Sequence, residues 1–164
     1  MQDLQIDLKT DIKNINEEKS KLIESQQGIT TLLALTPEQQ KTLDQIQMKV
    51  RFTTRKNIEA NYEGFKSSGK IGNIESRKLK TNILSYYQEY MSTTAEIEKD
   101  LNIAKKEVIE ILGRNSFKAT TLTDPYLRTK LDIYLGLTKS LVDGYDEDLK
   151  LAKETIQEIN KYLE

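Results

Sequence analysis

The chain reads as all-α, an elongated antiparallel four-helix bundle, and three observations lead there. Apolar residues recur at three- and four-residue steps along most of the 164 residues, no segment alternates in the two-residue rhythm of a strand, and both prolines stand where a helix begins. Leu4, Leu8, Ile12, Ile15 and Leu22 draw the first stripe, and the first helix is expected over about 2–26, interrupted by Gly28. Residues 29–35 then form a short apolar corner.

Thr36-Pro37-Glu38-Gln39 is a compact helix start. Thr36 is the N-cap, Pro37 brings a preset φ, and Gln39 completes a capping box. The second helix is expected over about 37–66 on a stripe of Leu43, Ile46, Val50, Thr53 or Thr54, Asn57 or Ile58, Asn61 and Phe65, polar in its lower half. The third is expected over about 75–112, with Leu79, Ile83, Tyr86 or Tyr87, Tyr90, Thr94, Ile97, Leu101, Ala104, Val108 and Ile111 on one face. Gly113 to Thr123 suits a loop, and Asp124-Pro125 repeats the N-cap and N1-proline device. The fourth helix, about 124–163, carries Leu127, Leu131, Tyr134, Thr138, Leu141, Tyr145, Leu149, Ala152, Ile156, Ile159 and Leu163.

One domain accommodates this length, expected here as 1–164, and a charged fraction of 31% with a mean hydropathy of -0.63 suits long helices with large outer faces. The net charge of -1 offers no general attraction to nucleic acid, and none is expected as a partner. Residues 49–80 hold nine basic residues against Glu59, Glu63 and Glu75, whereas residues 143–164 hold seven acids against three lysines, which suits complementary helix faces. An extended coiled-coil homodimer is the alternative use of the same heptad-like stripes.

Cysteine and histidine are both missing from the sequence. That excludes disulfides, thiolate metal sites, imidazole bases and the Glu-x-x-His helices of di-iron bundles. No catalytic residue, metal ligand or cofactor is expected. No apolar run approaches the roughly 20 residues of a membrane span, so contact with a membrane is expected only through an anchor upstream of Met1.

The most informative segment is Tyr62-Glu63-Gly64-Phe65-Lys66-Ser67-Ser68-Gly69-Lys70-Ile71-Gly72-Asn73-Ile74. Its residues 64–70 match G-x-x-x-x-G-K, the start of a phosphate-binding loop, but Ile71 stands where a hydroxyl must hold magnesium, and the preceding pattern is helical rather than extended. Nucleotide binding is therefore the weakest functional reading. As a hairpin turn the same letters have simple roles: Gly69 as a left-handed cap, Gly72 relaxing the turn, and Ile71 with Ile74 closing the end of a core. Tyr62, Phe65, Tyr86, Tyr87 and Tyr90 flank that turn; their periodicity reads first as an aromatic core, and they are also the candidate ligand pocket, with Thr53, Thr54, Asn57 and Asn61 either as its polar lining or as ordinary satisfied or solvent-facing residues.

This turn, followed by Leu79-x-x-x-Ile83-x-x-Tyr86-Tyr87, resembles an uncharacterised family of bacterial single-span membrane proteins, and Leu4-x-x-Asp7-Leu8-x-x-Asp11 is similar to the segment after that family's span. The resemblance implies a helical soluble domain held outside the cytoplasmic membrane and brings no activity with it; together with the lack of a usable catalytic set, it leads to the expectation of a non-enzymatic sensor, signalling or protein-interaction domain with an unidentified protein or small-molecule partner. The span itself has no counterpart in these residues. A cytoplasmic coiled-coil adaptor or assembly protein is the rival.

Overall fold

The computed structural model describes residues 1–53 and 58–164 and is all-α: among the described residues there is no strand, only an isolated antiparallel bridge between Gln45 and Lys118. The helices are α1 (Gln2–Leu33), α2 (Pro37–Thr42), α3 (Ala60–Ser67), α4 (Arg77–Ser85), α5 (Met91–Arg114) and α6 (Pro125–Leu163), with 3-10 turns at Lys70–Asn73 and Ala119–Thr123. A π-helical turn, Tyr86–Tyr90, joins α4 directly to α5.

The chain packs as two compact units. One comprises Met1–Lys19, Thr54–Ala95 and Asp143–Glu164; the other comprises Ser20–Thr53 and Glu96–Val142.

The first unit buries Leu4, Leu8, Tyr62, Ile71, Ile74, Leu79, Ile83, Tyr86, Tyr87, Met91, Ala152 and Ile159 in one core. Ser76 starts α4 as an N-cap, its Oγ accepting the Leu79 N–H at 3.3 Å. Helix α3 ends at Gly69, whose φ of 72° is left-handed and whose N–H donates to the Lys66 carbonyl at 3.0 Å. Among the described glycines only Gly69 has a positive φ; Gly72 lies in the following 3-10 turn without one. The charge asymmetry of the sequence is met here by the ion pair from Lys78 to Glu158 at 3.0 Å, and Lys19 of α1 adds a pair to Asp146.

The second unit buries Leu22, Ile29, Ile46, Leu101, Val108, Leu112, Leu122, Leu127, Leu131, Tyr134 and Leu141. Thr36 makes both bonds of the capping box with Gln39, and Asp124 Oδ1 accepts the Tyr126 N–H.

Two expectations for the elements need correction. Gly28 does not end the first helix: α1 continues to Leu33, because burying Ile29 outweighs a helical glycine's cost of about 1 kcal/mol. Among the described residues the second helix exists only at its two ends, α2 and α3. Leu43 turns extended and leaves its side chain exposed, and the Ile46 N–H donates to the Phe117 carbonyl at 2.7 Å instead of to its own chain neighbours. Further along, Asn102 replaces a strand partner: its Oδ1 accepts the Thr53 N–H at 2.9 Å and its Nδ2 donates to the Thr53 carbonyl at 3.0 Å. Apolar spacing at Leu43, Ile46 and Val50 fits an extended chain tied to neighbours as readily as a helix. Thr54 and Asn57 lie outside the described residues.

Candidate functional site

The first unit's core holds an aromatic and carboxylate cluster. Tyr62 from α3 stacks on Tyr87 with ring centroids 4.2 Å apart and planes 6° from parallel, and Tyr86 meets Tyr87 edge-on at 5.0 Å and 88°. Tyr86 Oη donates to Asp11 Oδ2 at 3.1 Å, Gln88 Nε2 donates to Tyr62 Oη at 2.8 Å, and Asn61 Nδ2 donates to Asp7 Oδ1 at 2.8 Å. Asp7 and Asp11 stand one turn apart on α1 and are both buried. Burial first, and then the nearby charges of Asp7, Asp11 and Glu59 and the Tyr62 phenol, push the Tyr87 phenol well above its ordinary value, so it stays neutral. Tyr87 Oη and Asp7 Oδ2 are buried without a hydrogen bond among the described residues.

The π turn explains how two consecutive tyrosines share one core. An α-helix advances about 100° per residue, so Leu79, Ile83, Tyr87 and Met91, spaced by four three times, would drift about 120° off one face. The wider turn, closed by the Met91 N–H on the Tyr86 carbonyl five residues back, absorbs that drift. Leu79, Ile83, Tyr87 and Met91 are accordingly all buried, with Tyr86 beside them.

Of the five aromatic candidates, Tyr62, Tyr86 and Tyr87 come together, and Phe65 packs half-buried against the same core. Tyr90 is not in the cluster. It lines an open cleft of about 130 Å³ with Glu89, Thr93, Thr94, Gly144, Glu147 and Asp148, because the extra residue of the π turn gives its expected core place to Met91. Thr94 is buried there, and its Oγ1 donates to Asp148 Oδ2 at 3.0 Å; a Cβ on Gly144 would lie 3.0 Å from Thr94 Cγ2, so glycine permits this close approach. Of the expected polar lining, Asn61 donates to Asp7 within the first unit, and Thr53, in the second, pairs with Asn102.

Asp7, Asp11, Asp148 and Met91 are the site residues that sequence reasoning passed over. Asp7 and Asp11 sit at helical spacing from Leu4 and Leu8, on the buried stripe itself, which was a readable signal of buried carboxylates.

Within residues 64–70, Gly64 lies inside α3 rather than in a loop after a strand. Among the described residues no group of three acidic side chains is placed to hold a metal ion, and no helix is long and apolar enough to cross a membrane. No family model matches the chain, and no match is found among curated proteins or solved structures.

Proposed function

We propose that this chain is a non-enzymatic helical sensor, signalling or protein-interaction domain, the soluble part of a membrane-anchored bacterial protein facing away from the cytoplasm, with its helices arranged as an elongated antiparallel four-helix bundle. The observation that carries the sensor reading is the way the first unit's core is tied across helices. Three buried aspartates, Asp7, Asp11 and Asp148, accept hydrogen bonds from Asn61, Tyr86 and Thr94 respectively. Buried polar pairs of this kind fix helix register, and a register that is fixed by a few discrete bonds is also one that shifts between discrete states. A uniformly apolar core has no such stops. The anchor and its orientation rest on the family resemblance of the glycine turn and the Tyr86-Tyr87 helix.

The test is fractionation of the full-length gene product from its own cells, combined with photo-crosslinking from exposed Ile6 and Tyr162. The reading expects the protein in the membrane fraction, with a discrete crosslinked partner whose yield falls in Asp11→Leu. A product confined to the soluble fraction, with a solution mass above the 18.9 kDa monomer, would favour the cytoplasmic coiled-coil adaptor instead.

A further inference from the structure

We propose that the outer face of α6 between Tyr126 and Ser140 is a pairing surface for a second copy of this chain, with the two α6 helices antiparallel. The inference goes beyond the sensor reading and does not depend on it.

This part of α6 carries a second heptad stripe besides the one it buries. Leu127, Leu131, Tyr134, Thr138 and Leu141 are buried. Tyr126, Thr129, Ile133, Gly136 and Ser140 step by three and four along the opposite side, and all five are exposed. A solvent-facing stripe ordinarily carries charge. This one carries none, and it leaves Tyr126 59% and Ile133 45% exposed. Its charged residues stand along the edges. On one edge Lys130 is tied to Glu107 of α5 at 2.9 Å, and Ile103, one turn before Glu107, adds another exposed apolar side chain. On the other edge stand Asp132 and Lys139, both exposed and in no ion pair among the described residues.

The pattern matches its own reverse, which is why the occupant is a second copy. Numbered as heptads, Tyr126, Ile133 and Ser140 take position a, Thr129 and Gly136 position d, and Asp132 and Lys139 position g. In an antiparallel pair a side chain at a meets position d of the other helix, and g meets g. Ile133 then falls on the second copy's Gly136, where open space surrounds the missing Cβ, and Thr129 falls on Ser140. Asp132 meets Lys139 of the second copy, and two-fold symmetry makes that contact twice. A parallel pair sets Asp132 against Leu137 instead and gains no ion pair. The edge charges therefore select the antiparallel arrangement.

The experiment is sedimentation equilibrium on the whole chain over a micromolar to near-millimolar series, for wild type, Ile133→Glu, Asp132→Lys, Lys139→Asp and an equimolar mixture of the last two. Wild type is expected to reach twice the 18.9 kDa of one chain, and Ile133→Glu to remain monomeric. Each single charge reversal turns both ion pairs into like-charge contacts and weakens the dimer roughly tenfold. The mixture restores wild-type affinity, because the two reversed edges complement each other, and this gain requires that both variants are folded. A wild type that stays monomeric across the series overturns the proposal. So does a dimer that persists in Ile133→Glu, or a mixture no tighter than its separate components. A dimer alone does not favour the cytoplasmic adaptor, since the fraction that holds the full-length product decides between those readings.

Discussion

Tyr86 and Tyr87 are neighbouring phenols in one core, and removing their hydroxyls is predicted to change stability in opposite directions. Tyr86 Oη donates to Asp11 Oδ2 at 3.1 Å, with both side chains buried. Hydrogen bonds to a charged group contribute about 1.5–3 kcal/mol, so Tyr86→Phe is expected to destabilise the chain by about 2 kcal/mol. Tyr87 Oη has no hydrogen bond among the described residues, while its ring contacts with Tyr62 and Tyr86 persist in phenylalanine. Removing a desolvated and unsatisfied hydroxyl should stabilise by about 1 kcal/mol, the lower end of that group's burial cost. For a chain of this size 1 kcal/mol shifts Tm by roughly 2–4 °C, so Tyr86→Phe should melt roughly 4–8 °C lower and Tyr87→Phe roughly 2–4 °C higher. Thermal unfolding followed by far-ultraviolet circular dichroism measures both.

The alkaline limb gives a second reading of the same pair of variants. The Tyr87 phenol is raised in the folded chain, chiefly by burial, so above its ordinary value of 10.0 the unfolded chain releases a proton that the folded chain retains. Stability is then full below pH 10 and falls as pH rises beyond it. Tyr87→Phe should make that limb shallower, leaving the part due to Tyr134, which burial also raises. Equal destabilisation by both substitutions, or an alkaline limb unchanged in Tyr87→Phe, would refute the reasoning.

Other substitutions probe the frame around the cluster. Gly69→Val places a β-branched residue at a φ of 72° and should cost about 1–2 kcal/mol, seen as a lower urea midpoint. Gly136→Ala has open space within α6 and should stabilise by about 0.5–1 kcal/mol, whereas Gly144→Ala should gain less because its Cβ meets Thr94 Cγ2 at 3.0 Å. Glu158 is held below the usual carboxylate value of 4.5, first by its hydrogen bond from Lys161 and then by Lys78. Its contribution is present above pH 4.5 and lost as pH falls below it, so Glu158→Gln should flatten acid unfolding in that window.

The all-α class was legible because it depends on periodicity, and periodicity survives in α1, in the helices from Arg77 to Arg114 and in α6. The capped starts at Thr36 and Asp124 were legible because a cap is a local arrangement between one side chain and the next few backbone N–H groups. Residues 43–53 were not, since Ile46 and Thr53 take their backbone partners from Phe117 and Asn102, far along the sequence. Half of the candidate site was readable: aromatic spacing groups Tyr62 with Tyr86 and Tyr87, and regular α-helical counting then misplaces Tyr90. The missed clue was the run of three four-residue steps from Leu79 to Met91, too many for an α-helix to keep on one face.

The most direct measurement of how the π turn keeps Met91 in the core is deletion of Glu89, an exposed residue inside that turn. Removing one residue converts the four-residue step from Tyr87 to Met91 into a three-residue step that a plain α-helix keeps on one face. The account predicts a cooperatively folded protein of unchanged helix content in which Met91 stays buried and slow to oxidise with peroxide. A variant that loses cooperative unfolding, or one in which Met91 becomes open to rapid oxidation, would contradict it.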